Sequence, residues 1–290
     1  MATLAAQADP QALPSGRPSI LVTGASSGIG AFCARALKRD GFRVFATARK
    51  PDDLRALEAQ GIEAFFLDYR DEGSIHAVAE VVLGRTGGRL DALFNNGAHA
   101  QAGAVEDLPT QALREQFEAN FFGWHTLTRA CLPAMRAQAT GRIVCCSSIL
   151  GLVPVPFRGA YAASKHALEG LMLTLRLELQ GSGVHVSLIE PGPVASRIAS
   201  NGLPWFERFI DHENSVHREA YGKQIARLRA GGTGSKLKLG PDAVYAALRH
   251  ALLAAKPKPH YLVTAPAKWG AALKRVLPAP LLYRILLRQG

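Results

Sequence analysis

No acidic residue follows Asp242, which leaves residues 243–290 of this 290-residue chain without side-chain carboxylates to balance their cations. Residues 223–290 carry 13 Lys+Arg against that single Asp, a net +12, while the preceding 222 residues sum to −1. A block of this sign attracts anionic membranes, acidic proteins or nucleic acid. Nucleic acid is set aside, because no recognition motif accompanies the charge. Cysteine is scarce as well: Cys33, Cys131, Cys145 and Cys146 show no Cys-x-x-Cys spacing. That argues against a disulfide framework or a dithiol redox pair and for reduced, structural thiols in the cytoplasm. His212 and His217 lack acid or thiol partners at ligand spacing, so no metal is expected. No apolar run approaches the ~20 residues that a membrane-spanning helix needs, which restricts the chain to the cytoplasm or a membrane periphery. Residues 1–17 lack a cationic stretch followed by an apolar one; a disordered segment is expected there rather than a secretory signal.

What the chain does have is regular alternation. Short apolar runs centred on Leu21, Phe45, Phe65, Leu93, Val144, Val186 and Leu262 alternate with helical patterns. Runs this short suit fully buried parallel strands, and the alternation predicts an α/β fold with one doubly wound parallel sheet. No internal repeat recurs at a fixed period. The expected organisation is one domain over residues 18–264, with a tail over residues 265–290.

Two motifs carry chemistry. Thr23-Gly24-Ala25-Ser26-Ser27-Gly28-Ile29-Gly30 follows the first predicted strand and opens a helical stretch, Ala31 to Asp40. Strand, glycine turn and helix N-terminus together cradle a pyrophosphate, because glycines admit close backbone approach and the free N–H groups favour negative charge. The second predicted strand, Arg43 to Thr47, runs into Ala48-Arg49-Lys50. A ribose 2′-hydroxyl calls for a carboxylate at this point and a 2′-phosphate calls for arginine, so NADP(H) is preferred, with NAD(H) as the alternative.

Further on, Tyr161 precedes Lys165 by four residues, which places phenol and ammonium on one helix face. A nearby ammonium favours phenolate, so the tyrosine pKa is expected to fall from about 10 toward neutrality. Such a group serves as general acid or base for an alcohol or alkoxide. Ser148 lies 13 positions upstream, at the end of an apolar run, where it can donate a hydrogen bond to the same substrate oxygen.

With these motifs the chain resembles the short-chain dehydrogenase/reductases of the TGxxxGxG and YxxxK type, from about Ser19 to Val194. The resemblance implies a Rossmann-like fold and a set of site residues. Asp68 matches the acid that contacts the adenine amine. Asn95-Asn96-Gly97-Ala98 closes the fourth strand where the family usually has Asn-Asn-Ala-Gly, a departure in the last two residues. Asn120 matches the helix asparagine that holds a proton-relay water. Pro191-Gly192-Pro193-Val194 matches the turn flanking the nicotinamide, with Ser196 where threonine is more usual. By the same resemblance Ser148 orients the substrate oxygen, Tyr161 moves the proton, and Lys165 lowers the tyrosine pKa and holds the ribose. Family members usually form homodimers or homotetramers through the helices around Asn120 and Tyr161. The stretch from Tyr161 to Gly170 resembles the members that act on steroids, retinoids and other lipid-like alcohols.

Residues 195–239 are expected to form a substrate lid. Trp205, Phe206, Phe209 and Ile210 recur at near-helical spacing, which describes either a core-packing face or a pocket wall for an apolar substrate. Opposite, Val153, Val155 and Phe157 belong to an apolar stretch that would leave a charged substrate unpaired. Gly231-Gly232-Thr233-Gly234-Ser235 offers a hinge. In the tail, Ala267 to Leu277 and Leu281 to Arg288 are helical candidates split by Pro278 and Pro280. The second is basic and amphipathic, suited to a membrane interface, to the core or to a second subunit. An oxidoreductase for an apolar carbonyl or alcohol is the expected function. A β-ketoacyl carrier-protein reductase, or a non-catalytic NADP-binding sensor, is the alternative.

Overall fold

The computed structural model describes residues 17–230 and 235–288. The expected N-terminal disorder and all of the expected hinge but Ser235 lie outside these residues. Seven strands form one sheet in the order β3-β2-β1-β4-β5-β6-β7, and every neighbouring pair is parallel. They are β1 (Ser19–Val22), β2 (Arg43–Ala48), β3 (Glu63–Phe66), β4 (Ala92–Asn95), β5 (Gly141–Cys146), β6 (Val184–Pro191) and β7 (His260–Val263), each at an expected centre. The helices between them are α1 (Gly28–Arg39), α2 (Pro51–Glu58), α3 (Glu72–Arg85), α4 (Thr110–Phe117), α5 (Gly123–Ala137), α6 (Gly159–Glu178), α7 (Ile198–Phe209), α8 (Arg218–Arg229) and α9 (Pro241–Leu253). Helix α1 packs against α9, and α3 against α5. Two helix layers therefore bury the central strands on both faces, which is why β1, β4 and nearly all of β5 and β6 are inaccessible and mostly apolar.

The chain runs outward from β1 to β3 and then returns to place β4 on the other side of β1. That reversal opens a crevice at the carboxyl ends of β1 and β4, where ligands bind in sheets of this kind.

Helices α7 and α8 and the tail add the remaining mass. Phe206, Ile210, Tyr221 and Leu228 pack with Ala102 and Ala104 into a second, smaller core. The Tyr221 hydroxyl accepts from the Ala104 N–H at 2.9 Å and donates to Asp107 Oδ2 at 2.5 Å, tying α8 to the segment after β4. The tail forms α10 (Ala265–Val276) and α11 (Ala279–Leu287). Each begins two residues before its expected start, because Pro266 and Pro280 sit in the first turn, where a missing N–H costs no helical bond. The Thr264 hydroxyl caps α10 by accepting from Ala267 N–H at 3.3 Å.

Candidate active site

The glycine turn after β1 is shaped by close backbone approach. Gly24 has φ +63°, and a Cβ there would stand 2.4 Å from the Gly97 Cα. Gly97 returns the contact, since its own Cβ would lie 3.2 Å from Gly24 N. The departure from Asn-Asn-Ala-Gly thus has a local reason: the third position is the one pressed against the β1 turn. Thr23 lies behind this wall, its hydroxyl accepting from the N–H groups of Asn96 and Gly97 at 2.8 and 3.2 Å. Asn95 is likewise interior and donates to Thr128 at 3.1 Å.

A cavity of about 620 Å³ occupies the crevice. Gly24, Ser26, Ser27, Gly28, Ile29, Arg49, Asp68, Gly97, Pro191, Gly192, Val194 and Ser196 line it together with Ser148, Tyr161 and Lys165. Thr23, Gly30, Lys50, Asn95 and Asn120 do not. Gly30 instead lets α1 close on the turn, where a Cβ would meet the Gly24 carbonyl at 2.3 Å. Backbone cradle, serine hydroxyls and the Arg49 guanidinium fit a dinucleotide carrying an extra phosphate. Both Asp68 oxygens are engaged by the Arg70 guanidinium, at 3.1 and 2.7 Å.

Lys165 is fully buried on α6. Its Nζ donates to the Cys146 carbonyl at 2.9 Å, and lies 4.1 Å from the centroid of the Trp124 ring. Burial pulls its pKa down to about 8, against the opposing influence of Cys146, Cys145 and Glu169. Tyr161 departs from expectation. Burial raises its phenol above the ordinary value, while Ser148 and Arg158 act to lower it. The desolvation of phenolate outweighs its neighbours, and Lys165 directs its charge to the Cys146 carbonyl and the Trp124 face. The phenol is therefore held in its protonated form.

Asn120 sits in a π-helical turn, Glu118–Phe122, ahead of α5. Its Oδ1 accepts from His99 N–H at 3.1 Å and its Nδ2 donates to His99 O at 2.8 Å, so the side chain clamps the segment leaving β4. His99 stacks on Trp205 at 4.2 Å, and burial with Arg49 and Arg70 nearby pulls it down to about 4, leaving it neutral.

The expected substrate wall needs correction. Val153 and Val155 line the cavity; Phe157, Trp205, Phe206 and Phe209 do not. Phe206 is consumed by the second core, Phe157 packs on Tyr221 and His217, and Trp205 stacks on His99 and Phe209. In their place the tail supplies apolar wall: Trp269, Leu273, Leu282, Ile285 and Leu286. Leu282 and Leu286 are one helical turn apart, the inward stripe that the spacing of α11 contains.

Behind Lys165 lies a group the sequence reading missed. Glu190 is fully buried, pairs with His260 Nδ1 at 2.5 Å and accepts from Tyr261 N–H at 2.9 Å. Burial and the Glu190 charge push Glu169 up to about 7.

A family model for short chain dehydrogenases matches residues 18–205 of this chain. The chain belongs to that family. Among its relatives, the uncharacterized oxidoreductase YbbO of Escherichia coli K12 is 40% identical over 268 residues, covering 92% of this chain and 93% of that protein. The NADPH-dependent 3-dehydrocapnine reductase of Ornithobacterium rhinotracheale is 35% identical, over 86% of this chain and 88% of its own. Human 17-beta-hydroxysteroid dehydrogenase type 1 is 34% identical, over 86% and 78%. The chain is thus a short chain dehydrogenase/reductase, with hydroxysteroid dehydrogenase-like members among its relatives.

Proposed function

We propose that the chain is an NADP(H)-dependent oxidoreductase that interconverts a carbonyl and an alcohol on an apolar, lipid-like substrate such as a steroid, a retinoid or a long-chain aldehyde or ketone. One observation carries the reading: a single cavity is lined at once by the glycine turn, by Arg49, by Ser148, Tyr161 and Lys165, and by apolar side chains of α10 and α11. The NADPH dependence named for the 3-dehydrocapnine reductase supports the cofactor choice.

When bound, a reduced nicotinamide supplies hydride to the carbonyl carbon. The protein's part is position and protons. Ser148 holds the substrate oxygen, and Tyr161, kept protonated by burial, donates its proton as negative charge develops there. Lys165 holds positive charge beside Tyr161 and a ribose, and Asn120 fixes the segment that shapes this wall. A homodimer or homotetramer and a cytoplasmic location, with peripheral membrane contact through the tail, complete the reading. Exposed Trp269, Val276, Tyr283 and Leu287 beside Lys268, Lys274, Arg275, Arg284 and Arg288 support that contact.

The test is turnover of carbonyls of rising chain length with NADPH and with NADH. Preference for NADPH and for long apolar substrates is expected. Turnover confined to a short β-ketoacyl thioester would favour a carrier-protein reductase, and cofactor binding without any turnover would favour a sensor.

A further inference from the structure

The cavity wall contains cations that a purely apolar substrate does not need. Arg158 lines it three residues before Tyr161, and Arg227 of α8 lines it as well. Arg158 Nη1 is buried with no hydrogen-bond partner. Burial and the neighbouring Arg227 pull the guanidinium down to about 10, which leaves it charged at neutral pH. Arg158 and Tyr161 act on each other's charge, so the cation stands within electrostatic range of the position where the substrate oxygen reacts. Among the residues lining the cavity Asp68 is the one carboxylate, and Arg70 occupies both its oxygens.

The backbone that presents Arg158 is strained. Phe157 has φ +61°, a left-handed conformation that is unfavourable for a residue with a Cβ. Its carbonyl accepts from the Gly103 N–H at 3.1 Å, and Gly103 pairs with Arg158 in an isolated parallel bridge. The turn is therefore pinned by the segment that follows β4. Its result is that the Phe157 ring leaves for the second core while Arg158 faces the cavity. Strain and an incompletely paired buried cation, together at one turn beside the reacting position, are costs that a ligand group repays.

We infer that Arg158 binds an anionic head group of the substrate, so that the preferred substrate is an amphiphile with a carboxylate, sulfonate or phosphate near the reacting carbonyl and an apolar chain against α11. The inference rests on the proposed carbonyl–alcohol function and narrows its substrate class. A guanidinium presents paired N–H groups in the plane that such oxyanions match. It also revises the expectation of an entirely apolar wall, which holds for Val153 and Val155 and ends at Arg158.

Titration calorimetry with octane-1-sulfonate and with octan-1-ol tests the site without catalysis. Wild-type protein should bind the sulfonate about tenfold more tightly or better, and Arg158→Gln should erase that difference while leaving the alcohol nearly unchanged. Arg158→Lys, which keeps the charge and loses the fork, should fall between; it also serves if the glutamine variant does not fold. Equal binding of both probes by wild-type protein would overturn the inference, as would an equal loss of both in Arg158→Gln. Turnover supplies the second arm, comparing a long-chain oxo acid with its methyl ester. Turnover of both with no preference for the acid would refute the anion site and leave the proposed function standing. Tight sulfonate binding that depends on Arg158, with no carbonyl reduced, would uphold the anion site and refute the function.

Discussion

The Lys165 ammonium donates to the Cys146 carbonyl at 2.9 Å, joining α6 to the end of β5, two residues before Ser148. One of three ammonium donors is spent there, and the others remain for groups in the cavity. Burial draws its pKa to about 8, so the residue is mostly charged at neutral pH without being strongly so. Lys165→Met is expected to lower turnover about a hundredfold or more while leaving the melting temperature unchanged or raised, because an apolar chain of similar length replaces a desolvated charge. Steady-state rates and thermal unfolding on one preparation check both parts.

Arg49 lines the cavity where β2 ends. Arg49→Asp should move the kcat/KM preference from NADPH toward NADH by at least about tenfold, since a carboxylate repels the 2′-phosphate and accepts from a ribose hydroxyl. An unchanged ratio would show that other groups select the cofactor.

Glu169 gives a pH dependence with a definite sign. Its carboxyl is raised to about 7 in the folded chain from an ordinary value of 4.5, so folding favours its protonated form. The stability linked to it is fully present below about 4.5 and is lost as pH rises through about 7. Glu169→Gln cannot ionise, and unfolding free energies measured across that window should fall less steeply with rising pH than those of the wild type.

Helices α10 and α11 expose Trp269 at 59% and Leu287 at 68% in a segment with no acidic residue. Co-sedimentation with vesicles containing phosphatidylglycerol is expected, with little binding to phosphatidylcholine alone and loss on raising salt. Reversing Arg284 and Arg288 to glutamate should weaken that binding. Equal recovery in the supernatant with both vesicle types would rule the contact out.

Much of this was legible in the sequence, and for physical reasons. The strand runs around Leu21, Leu93 and Val144 are short and continuous because both sheet faces are covered, and the glycine turn is local chemistry. What the sequence could not give depended on contacts between distant segments. The near-helical spacing of Trp205, Phe206 and Phe209 marks an apolar face without saying what covers it, and the covering groups are Tyr221, Ala102 and His99. The placement of Leu282 and Leu286 in the cavity follows from where α11 docks, over a hundred residues from Tyr161 in the chain. The raised tyrosine pKa follows from burial, which Tyr-x-x-x-Lys spacing does not encode. His260 could have been suspected as a titratable residue in the last strand, yet its partner Glu190 is 70 positions away.

The role of Tyr161 is tested most directly by Tyr161→Phe, with turnover of a long-chain carbonyl and NADPH affinity measured on the same preparation. Loss of turnover by about 10²-fold or more, with NADPH affinity retained within a few-fold, is the predicted result. Turnover close to that of the wild type would contradict the account, because no proton donor would then be needed at that position.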